Sequence, residues 1–188
     1  MYIPQKASSY KIKILIVGSA GSGKKSLCSK YLSGFSRSFE KTLGVDIYVK
    51  EEINDDNERI TFACWVCSPE KRFQYYWHRF FRGSLGALIL YDITNKNSFE
   101  QCSFWEDTIR LTISDIPIIL VGNKLDMESE RVINYDEAKS YSIKNDYAGY
   151  IETSVKENTN ISKAFEILNE KIYEYIEESR VKLEPLYL

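Results

Sequence analysis

The sequence KIKILIVGSAGSGKKS, from Lys11 to Ser26, joins a strand-like run to a glycine-rich turn and the start of a helix. The β-branched run from Ile12 to Val17 predicts a buried strand. Apolar residues at helical spacing then predict a helix, namely Leu27, Tyr31 and Leu32. Glycines in the turn let backbone N–H groups converge, the helix N-terminus favours negative charge, and Lys24 can reach outer phosphates. This order of elements predicts a phosphate-binding loop rather than an ordinary Gly/Ser turn. The candidate phosphate-binding residues are Gly18, Ser19, Ala20, Gly21, Ser22, Gly23, Lys24, Lys25 and Ser26.

One position of this loop departs from the phosphate-binding pattern. The residue after the loop lysine is usually Ser or Thr, whose hydroxyl ligates Mg²⁺. Here that residue is Lys25, and Ser26 comes one position late. Because one residue on a helix is a rotation of roughly 100°, Ser26 cannot simply take over that role. The loop therefore lacks its usual metal ligand.

Length and charge exclude several classes of protein. At 188 residues a single domain is expected. A net charge of −2 gives no indication of nucleic-acid binding, and no apolar run approaches the ~20 residues that span a bilayer. The first residues match neither a signal peptide nor a myristoylation site, and the last ones offer no cysteine for prenylation. We expect a cytoplasmic protein with no lipid anchor and no nucleic-acid partner; recruitment to membranes by a bound protein is left open.

The four cysteines include one pair, Cys64 and Cys67, with the spacing of half a zinc site or a redox pair. Both residues lie in a strand-like stretch, there is no second pair, and His78 is the chain's one histidine. We therefore predict free cysteines in a reducing compartment. A catalytic or metal-binding role for His78 is not favoured.

Strand and helix patterns alternate along the chain. This alternation predicts an α/β fold in which helices cover both faces of a mostly parallel sheet, giving three layers. The segment 34–42 looks like a polar connector, and 45–50 looks like an edge strand that pairs with 60–66. Further strands are predicted at 85–92, 117–122 and 149–153, and further helices at 98–113, 135–145 and 161–178. The predicted organisation is a flexible arm (1–10), one domain (11–178) and a C-terminal tail (179–188).

Two loops that follow predicted strands carry the residues expected to select a ligand. In open α/β sheets the ligand lies beyond the carboxyl ends of the strands. Asn123, Lys124 and Asp126 follow one such strand, and Ser154, Val155 and Lys156 follow the last. The Asp126 carboxylate can accept two parallel hydrogen bonds from guanine, whereas adenine lacks donors in that arrangement. Together with the phosphate loop, these residues predict a guanine nucleotide and disfavour a P-loop kinase or ATPase.

With these motifs, the chain resembles the Ras superfamily of small GTPases, and most closely its Rab branch, from about Lys11 to Glu178. The segments that carry the resemblance are residues 18–24, 42–46, 72–73, 82–83, 91–94, 121–126 and 152–156. The resemblance implies a P-loop NTPase fold with a mostly parallel sheet of six strands and about five helices. It also implies GTP or GDP as ligand and protein effectors or regulators that bind through residues 34–50 and 65–82.

The resemblance further assigns roles to single residues. It implies that Lys124 packs against the base and ribose and that the Val155 backbone N–H bonds the guanine oxygen. Phe35 is the aromatic residue expected at the edge of the base. Thr42 matches the threonine that binds Mg²⁺ and senses the γ-phosphate in the family's active state.

The segment Trp65–Phe73 departs from the family's Trp-Asp-Thr-Ala-Gly-Gln-Glu-Arg-Phe at the positions that handle the terminal phosphate. Val66 replaces the aspartate that holds Mg²⁺ through water, and Pro69 has no backbone N–H to offer the γ-phosphate. Glu70 replaces the glutamine that orients the attacking water, and its carboxylate faces the phosphate with like charge. We therefore expect very slow or absent hydrolysis. Glu70 occupies the water-positioning site, and we assign no residue a catalytic role.

Lys25 and Val66 together remove two of the groups that would place Mg²⁺, which leaves Thr42 as the one matching metal position. Our hypothesis is that the Lys25 ammonium partly stands in for the metal, so that Mg²⁺ binds weakly or is dispensable. One unit charge at ~4 Å is worth about 4 kcal/mol at an effective dielectric constant near 20. The alternative is that Lys25 swings out to solvent on its flexible stem.

Three functional interpretations follow. The leading one is a pseudo-GTPase, which binds guanine nucleotide and works as an interaction module. The alternative is a competent GTPase switch that uses rearranged residues, for instance Glu70 as a water-orienting group. The third is a structural relic of a GTPase that no longer binds nucleotide; the complete set of base-reading residues argues against it. Among the aromatic residues at 73–82, Tyr75, Tyr76 or Trp77 are expected at the surface as interface anchors, although a wholly internal arrangement is equally open.

Overall fold

The structure, a computed structural model, describes residues 9–32, 38–53, 57–113 and 115–179. The described strands are β1 (Ser9–Gly18), β2 (Ser38–Thr42), β3 (Val45–Ile53), β4 (Arg59–Cys67), β5 (Gly86–Asp92), β6 (Ile118–Asn123) and β7 (Gly149–Thr153). The α-helices are α1 (Lys24–Tyr31), α2 (Gln74–Phe81), α3 (Lys96–Thr112), α4 (Tyr135–Lys144) and α5 (Ile161–Ser179). Short 3₁₀ turns at Lys71–Phe73 and Leu125–Glu130 precede α2 and α4.

The strands form one sheet in the order β2-β3-β4-β1-β5-β6-β7. The pairs β1–β4, β1–β5, β5–β6 and β6–β7 are parallel, whereas β2–β3 and β3–β4 are antiparallel. The predicted α/β class, with a mostly parallel sheet and about five helices, is confirmed, and all six expected strands are present.

The structure corrects the sequence analysis at the edge of the sheet. A seventh strand, β2, lies in the segment that was taken as a polar connector, so β3 is an inner strand and not the edge. Thr42 pairs with Val45, which leaves Leu43 and Gly44 as a two-residue hairpin turn. Gly44 has a φ of 88°, a conformation that glycine adopts without strain. This short turn lets the segment fold back and pair with β3 as a strand.

The ends of the described region differ slightly from the predicted boundaries. Strand β1 begins at Ser9, inside the segment assigned to the N-terminal arm, and α5 ends at Ser179. Residues 1–8 and 180–188 lie outside the described residues, so the predicted arm and tail stay predictions.

Both faces of the sheet are buried under helices, as the three-layer prediction requires. On one face Leu15 and Val17 of β1 share a core with Trp77, Phe81 and other apolar residues, notably Trp105 and Ile109 of α3 and Ala138 of α4. On the other face, Ile14 and Ile16 pack with residues of α1 and α5: Leu27, Phe165, Leu168 and Ile172. Burial on both faces explains why β1 reads as a continuous apolar run rather than an alternating one.

The four cysteines are free, as predicted, and all four are buried. Within the described ranges, no cluster of His, Cys, Asp and Glu side chains is arranged to hold a metal ion. None of the helices in the described part of the chain is both long enough and apolar enough to cross a membrane.

Candidate functional site

The phosphate loop runs from the end of β1 to the start of α1. Gly18, Gly21 and Gly23 have φ angles of 137°, 80° and 93°, which curl the backbone around the loop. The buried Lys24 ammonium donates hydrogen bonds to the Gly18 carbonyl at 2.7 Å and the Ser19 carbonyl at 2.6 Å. The ammonium group is therefore held inside the concave loop, where an anionic ligand would meet it.

Burial lowers the pKa of Lys24 from its ordinary value to about 8, and the nearby charge of Lys25 acts in the same direction. A phosphate group bound in the loop would oppose both effects and raise the pKa, because an opposite charge favours the protonated amine. Lys24 is therefore a group whose charge couples to ligand binding.

We predict that nucleotide affinity falls above pH 8. Below pH 8 Lys24 is protonated in both the free and the nucleotide-bound protein, so nucleotide affinity does not change with pH. Above pH 8 Lys24 of the free protein is deprotonated, and it must take up a proton again when nucleotide binds. The loss reaches at most about tenfold per pH unit. Binding of a fluorescent GDP analogue between pH 7 and 9.5 measures it. The control is Lys24→Arg, whose guanidinium stays charged. An equal slope in both proteins would contradict the prediction.

Asn123 joins the phosphate loop to the loops predicted to contact the base. Its side-chain amide donates to the Ser22 carbonyl at 2.9 Å, and its oxygen accepts from the Thr153 hydroxyl at 3.1 Å. The contact with the loop is close, since a Cβ at Gly23 would lie 2.1 Å from the Asn123 Nδ2 atom. The phosphate loop, the β6 end and the β7 end are thus tied together by one buried side chain.

Lys124 adopts a left-handed backbone conformation with φ 72°, and its ammonium lies 2.5 Å from a carboxylate oxygen of Asp92. Burial alone would raise the pKa of Asp92, but hydrogen bonds from Lys124 and Thr94 outweigh it and hold that pKa below its usual value. Asp92 therefore stays ionised and holds the Lys124 ammonium at the end of β6, beside the loop predicted to read the base.

Asp126 and Ser154, predicted to act on the same base, lie in contact. The Ser154 hydroxyl donates to Asp126 Oδ1 at 2.6 Å, and the exposed Lys156 ammonium lies 3.8 Å from Oδ2. A largely buried carboxylate with one oxygen so weakly paired can accept hydrogen bonds from a donor-rich ring edge. The structure thus brings the two predicted loops together. Val155, which lies between Ser154 and Lys156 in the second loop, is partly exposed.

An ion-pair network that the sequence analysis missed supports these two loops. Arg131 follows the Asp126 loop, and its two terminal nitrogens donate to the two Glu152 oxygens, each at 2.7 Å. Glu152 immediately precedes Thr153 at the end of β7 and also accepts from the Tyr150 hydroxyl at 2.5 Å. Burial raises the pKa of Tyr150, so its hydroxyl remains a donor. The signal in the sequence was an acidic residue inside a predicted strand, because a charge that becomes buried there requires a partner.

We predict that Tyr150→Phe lowers the free energy of unfolding by about 1–2 kcal/mol, because it leaves the buried Glu152 with one donor fewer. Urea denaturation measures the loss. The matched control is Tyr173→Phe on α5, a residue that is 39% exposed, where a change below about 0.5 kcal/mol is expected. Equal losses in the two variants would contradict the assignment.

A cavity of about 320 Å³ lies beside the phosphate loop, where the resemblance places the metal and the terminal phosphate. Its lining includes Lys25, Asp46, Val66, Ser68, Glu70 and Arg72. The Lys25 ammonium lies 2.6 Å from a carboxylate oxygen of Asp46, and the Lys25 side chain is 64% exposed. In the antiparallel ladder Asp46 stands directly opposite Val66, so both side chains project from the same face of the sheet.

The residues at the expected metal positions do not fit a family-type magnesium site. An ammonium group at position 25 and an isopropyl group at position 66 are not ligands for Mg²⁺, which prefers oxygen. The carboxylate of Asp46 is already paired with Lys25, and that of Glu70 with Arg72 at 2.7 Å. Thr42 ends β2, but its side chain lies outside the described residues, as does all of Phe35. Ser26 is exposed on α1.

The aromatic helix α2 is divided between core and surface. Tyr75 and Tyr76 are 74% and 39% exposed, as expected of interface residues. Trp77 is instead 3% exposed. Its indole N–H donates to the Ser68 carbonyl at 3.1 Å, and its ring packs on Trp105 with centroids 4.7 Å apart. Trp77 is therefore an anchor of the helix in the core.

Comparison with known proteins agrees with this geometry. A model of the Ras family matches residues 13–174. Ras-related protein Rab-11C of Dictyostelium discoideum is 34% identical over 174 residues, covering 92% of this chain and 77% of the relative. Ras-related protein Rab-3 of Caenorhabditis elegans is 34% identical over 180 residues, covering 94% and 80%. The Ypt/Rab-type GTPase avaA of Emericella nidulans is 35% identical over 164 residues, covering 84% and 80%. The chain belongs to the Ras family, as a Rab-like, GTP-binding small GTPase domain.

Proposed function

We propose that this Rab-like domain binds GTP and GDP with little need for Mg²⁺, hydrolyses GTP very slowly or not at all, and acts as an interaction module. The observation that carries the proposal is the ion pair of Lys25 with Asp46 beside Val66. Where relatives are expected to assemble oxygen ligands around a cation, this chain has a cation of its own.

Retention of nucleotide is supported by the intact loops. Lys24 is held inside the phosphate loop, Asn123 ties that loop to the base-reading loops, and Asp126 keeps a weakly paired oxygen for guanine. These contacts use none of the altered positions 25, 66, 69 and 70. The loops that bind the nucleotide can therefore be intact while the groups around the metal and the terminal phosphate no longer support hydrolysis.

Loss of hydrolysis is supported by the groups around the terminal phosphate. Pro69 has no N–H, and the Glu70 carboxylate is paired with Arg72 and accepts from the Ser68 hydroxyl at 3.3 Å. Even family members with intact residues turn over at only about 10⁻⁴ per second unaided. The competing reading, in which Glu70 orients the attacking water, would require Glu70 to leave Arg72 and approach a phosphate of like charge.

The direct test is to denature the purified protein, identify any released nucleotide, and follow added GTP for hours with and without EDTA. Guanine nucleotide that is retained in EDTA and not hydrolysed supports the proposal. Phosphate release at the rate of ordinary relatives supports a working GTPase. A protein that releases no nucleotide on denaturation and takes up no added guanine nucleotide supports the interpretation of a structural relic that has lost nucleotide binding.

We also infer a cytoplasmic location, with recruitment to membranes by a partner protein. Four buried, free cysteines support a reducing compartment. Fractionation of cells that express the tagged protein tests this inference: a soluble pool that shifts to membranes only with a partner is expected.

A further inference from the structure

Three consecutive residues beside the expected position of the γ-phosphate, 68–70, have no hydrogen-bond donor to spare. The Ser68 N–H donates to the Gly44 carbonyl at 2.9 Å. Pro69 has no N–H, and the Glu70 N–H donates to the Ser68 hydroxyl oxygen at 3.4 Å. The same hydroxyl donates to the Glu70 carboxylate at 3.3 Å. Each donor in this segment is therefore either missing or already used within the protein.

The charges on the two sides of this segment give no positive excess. The described lining of the 320 Å³ cavity has two cations and two carboxylates, which are paired: Lys25 with Asp46 at 2.6 Å, and Arg72 with Glu70 at 2.7 Å. A second cavity of about 270 Å³ lies between the phosphate loop and α3, and Glu70 is the one charged residue in its described lining. Exchange of partners between the pairs would not change either balance. Neither cavity therefore attracts an additional phosphate group by its charge.

The phosphate loop, by contrast, keeps groups suited to a diphosphate. The buried Lys24 ammonium lies against the Gly18 and Ser19 carbonyls, inside the loop and not beyond it. Gly21 and Gly23 have positive φ angles, which curl the backbone so that loop N–H groups can converge on the α- and β-phosphates. The site thus offers donors and positive charge to two phosphates, whereas residues 68–70 and the two cavity linings offer neither in excess to a third.

We propose that the site selects GDP over GTP, because the γ-phosphate gains no contact that offsets its additional negative charge. This inference rests on the proposed function, the binding of guanine nucleotide with little need for Mg²⁺, and names the nucleotide that the protein holds. Mg²⁺ would bring two positive charges to this position, whereas the Lys25 ammonium brings one and shares it with Asp46. A protein with this selectivity stays in one nucleotide state and does not alternate between two.

Selection of GTP would require one of the paired cations to leave its carboxylate for the γ-phosphate. Asp46 is only 5% exposed, so departure of Lys25 would leave a buried carboxylate without its partner. Departure of Arg72 would release Glu70 to face the phosphate with like charge. Each exchange thus creates an unpaired carboxylate next to the new phosphate contact, and the net attraction is small.

The experiment measures how GMP, GDP and GTP compete with a fluorescent GDP analogue for the full chain, in EDTA and in excess Mg²⁺. We expect GDP to bind at least about tenfold more tightly than GTP in both conditions, since one hydrogen bond to a charged oxygen is worth about that factor. GMP, which lacks the β-phosphate, should bind at least about a hundredfold more weakly than GDP. The nucleotides recovered after the assay are analysed to verify that GTP was not converted to GDP.

Variants at two positions test the cause of the selectivity. Pro69→Ala restores a backbone N–H, and Glu70→Gln replaces the carboxylate with an amide that can donate. Each is expected to raise GTP affinity at least about fivefold and to change GDP affinity less than about twofold. The matched controls are Pro117→Ala, directly before β6, and Glu100→Gln, an exposed carboxylate on α3 that lies 3.9 Å from the Lys96 ammonium. Neither control should change the affinity for either nucleotide by more than about twofold.

The outcomes distinguish this inference from the proposed function. Binding of guanine nucleotide with a GDP preference below about tenfold, or with a preference for GTP, rejects the selection of GDP and leaves nucleotide binding standing. Equal gains for GDP and GTP in Pro69→Ala and Glu70→Gln, or equal gains in the controls, also reject it. A GDP preference that disappears in Mg²⁺ contradicts both, because a metal would then compensate the γ-phosphate. A protein that takes up none of the three nucleotides rejects the proposed function itself.

Discussion

Changing Lys25 to serine and Val66 to aspartate together is expected to make nucleotide affinity depend strongly on Mg²⁺. The two changes restore the hydroxyl and carboxylate oxygens that the metal prefers, and they remove the ammonium that occupies the region. We expect GDP affinity to rise about a hundredfold with 5 mM Mg²⁺ over EDTA, about 2.7 kcal/mol, against less than about threefold in the unchanged protein. Titration with a fluorescent GDP analogue measures both.

The single variants separate the two effects. Lys25→Ser alone should weaken nucleotide binding in EDTA, because it removes a positive charge and supplies no carboxylate for a metal. Val66→Asp alone should add a third group to the Lys25–Asp46 pair, with its carboxylate beside Asp46, and gain little from Mg²⁺. Hydrolysis should stay slow in the double variant, since Pro69 and Glu70 are unchanged. A hundredfold effect of Mg²⁺ on the unchanged protein would refute the proposed role of Lys25.

Replacing Asp126 with asparagine is expected to lower GDP affinity by about 10²–10³-fold. The carboxylate is expected to accept two hydrogen bonds from guanine, whereas an amide would accept one and place its own N–H group against the second donor of the base. A buried mismatch of this kind costs about 3–4 kcal/mol. Xanthine carries an oxygen in place of the amine, so the variant should prefer xanthosine diphosphate. Competition between the two nucleotides measures the reversal.

The control for this prediction is Asp136→Asn, an exposed acidic residue in the first turn of α4, which should change neither affinity. Asp126→Asn also keeps an acceptor for the Ser154 hydroxyl, so the fold around it is expected to survive. Unchanged GDP affinity in Asp126→Asn would mean that Asp126 does not read the base.

The parts of the site that follow from local sequence were predictable. A β-branched run followed by glycines and Lys24 predicted the phosphate loop, and Asp126 and Ser154 were expected at neighbouring strand ends because parallel strands bring such ends together. The structure places them in contact. These predictions depend on spacing within short segments and on the alternation of strands and helices, which indicates a parallel sheet.

Features that depend on register between distant segments were not predictable. Strand β2 required the Leu43-Gly44 turn to be recognised as a hairpin within a polar stretch. The partner of Lys25 depended on the β3–β4 register, which sets Asp46 opposite Val66. The pairing of Arg131 with Glu152 joins residues 21 positions apart; an acidic residue inside a strand indicates that a partner is needed, but no local pattern identifies Arg131 as that partner.

Asn123 has one more consequence, which concerns how nucleotide leaves. Its amide bridges Ser22 in the phosphate loop and Thr153 beside the loop predicted to read the base, so we expect a displacement at one end of a bound nucleotide to be passed to the other. We therefore expect GDP to dissociate in one step with a single exponential phase, rather than in separate steps for the base and the phosphates.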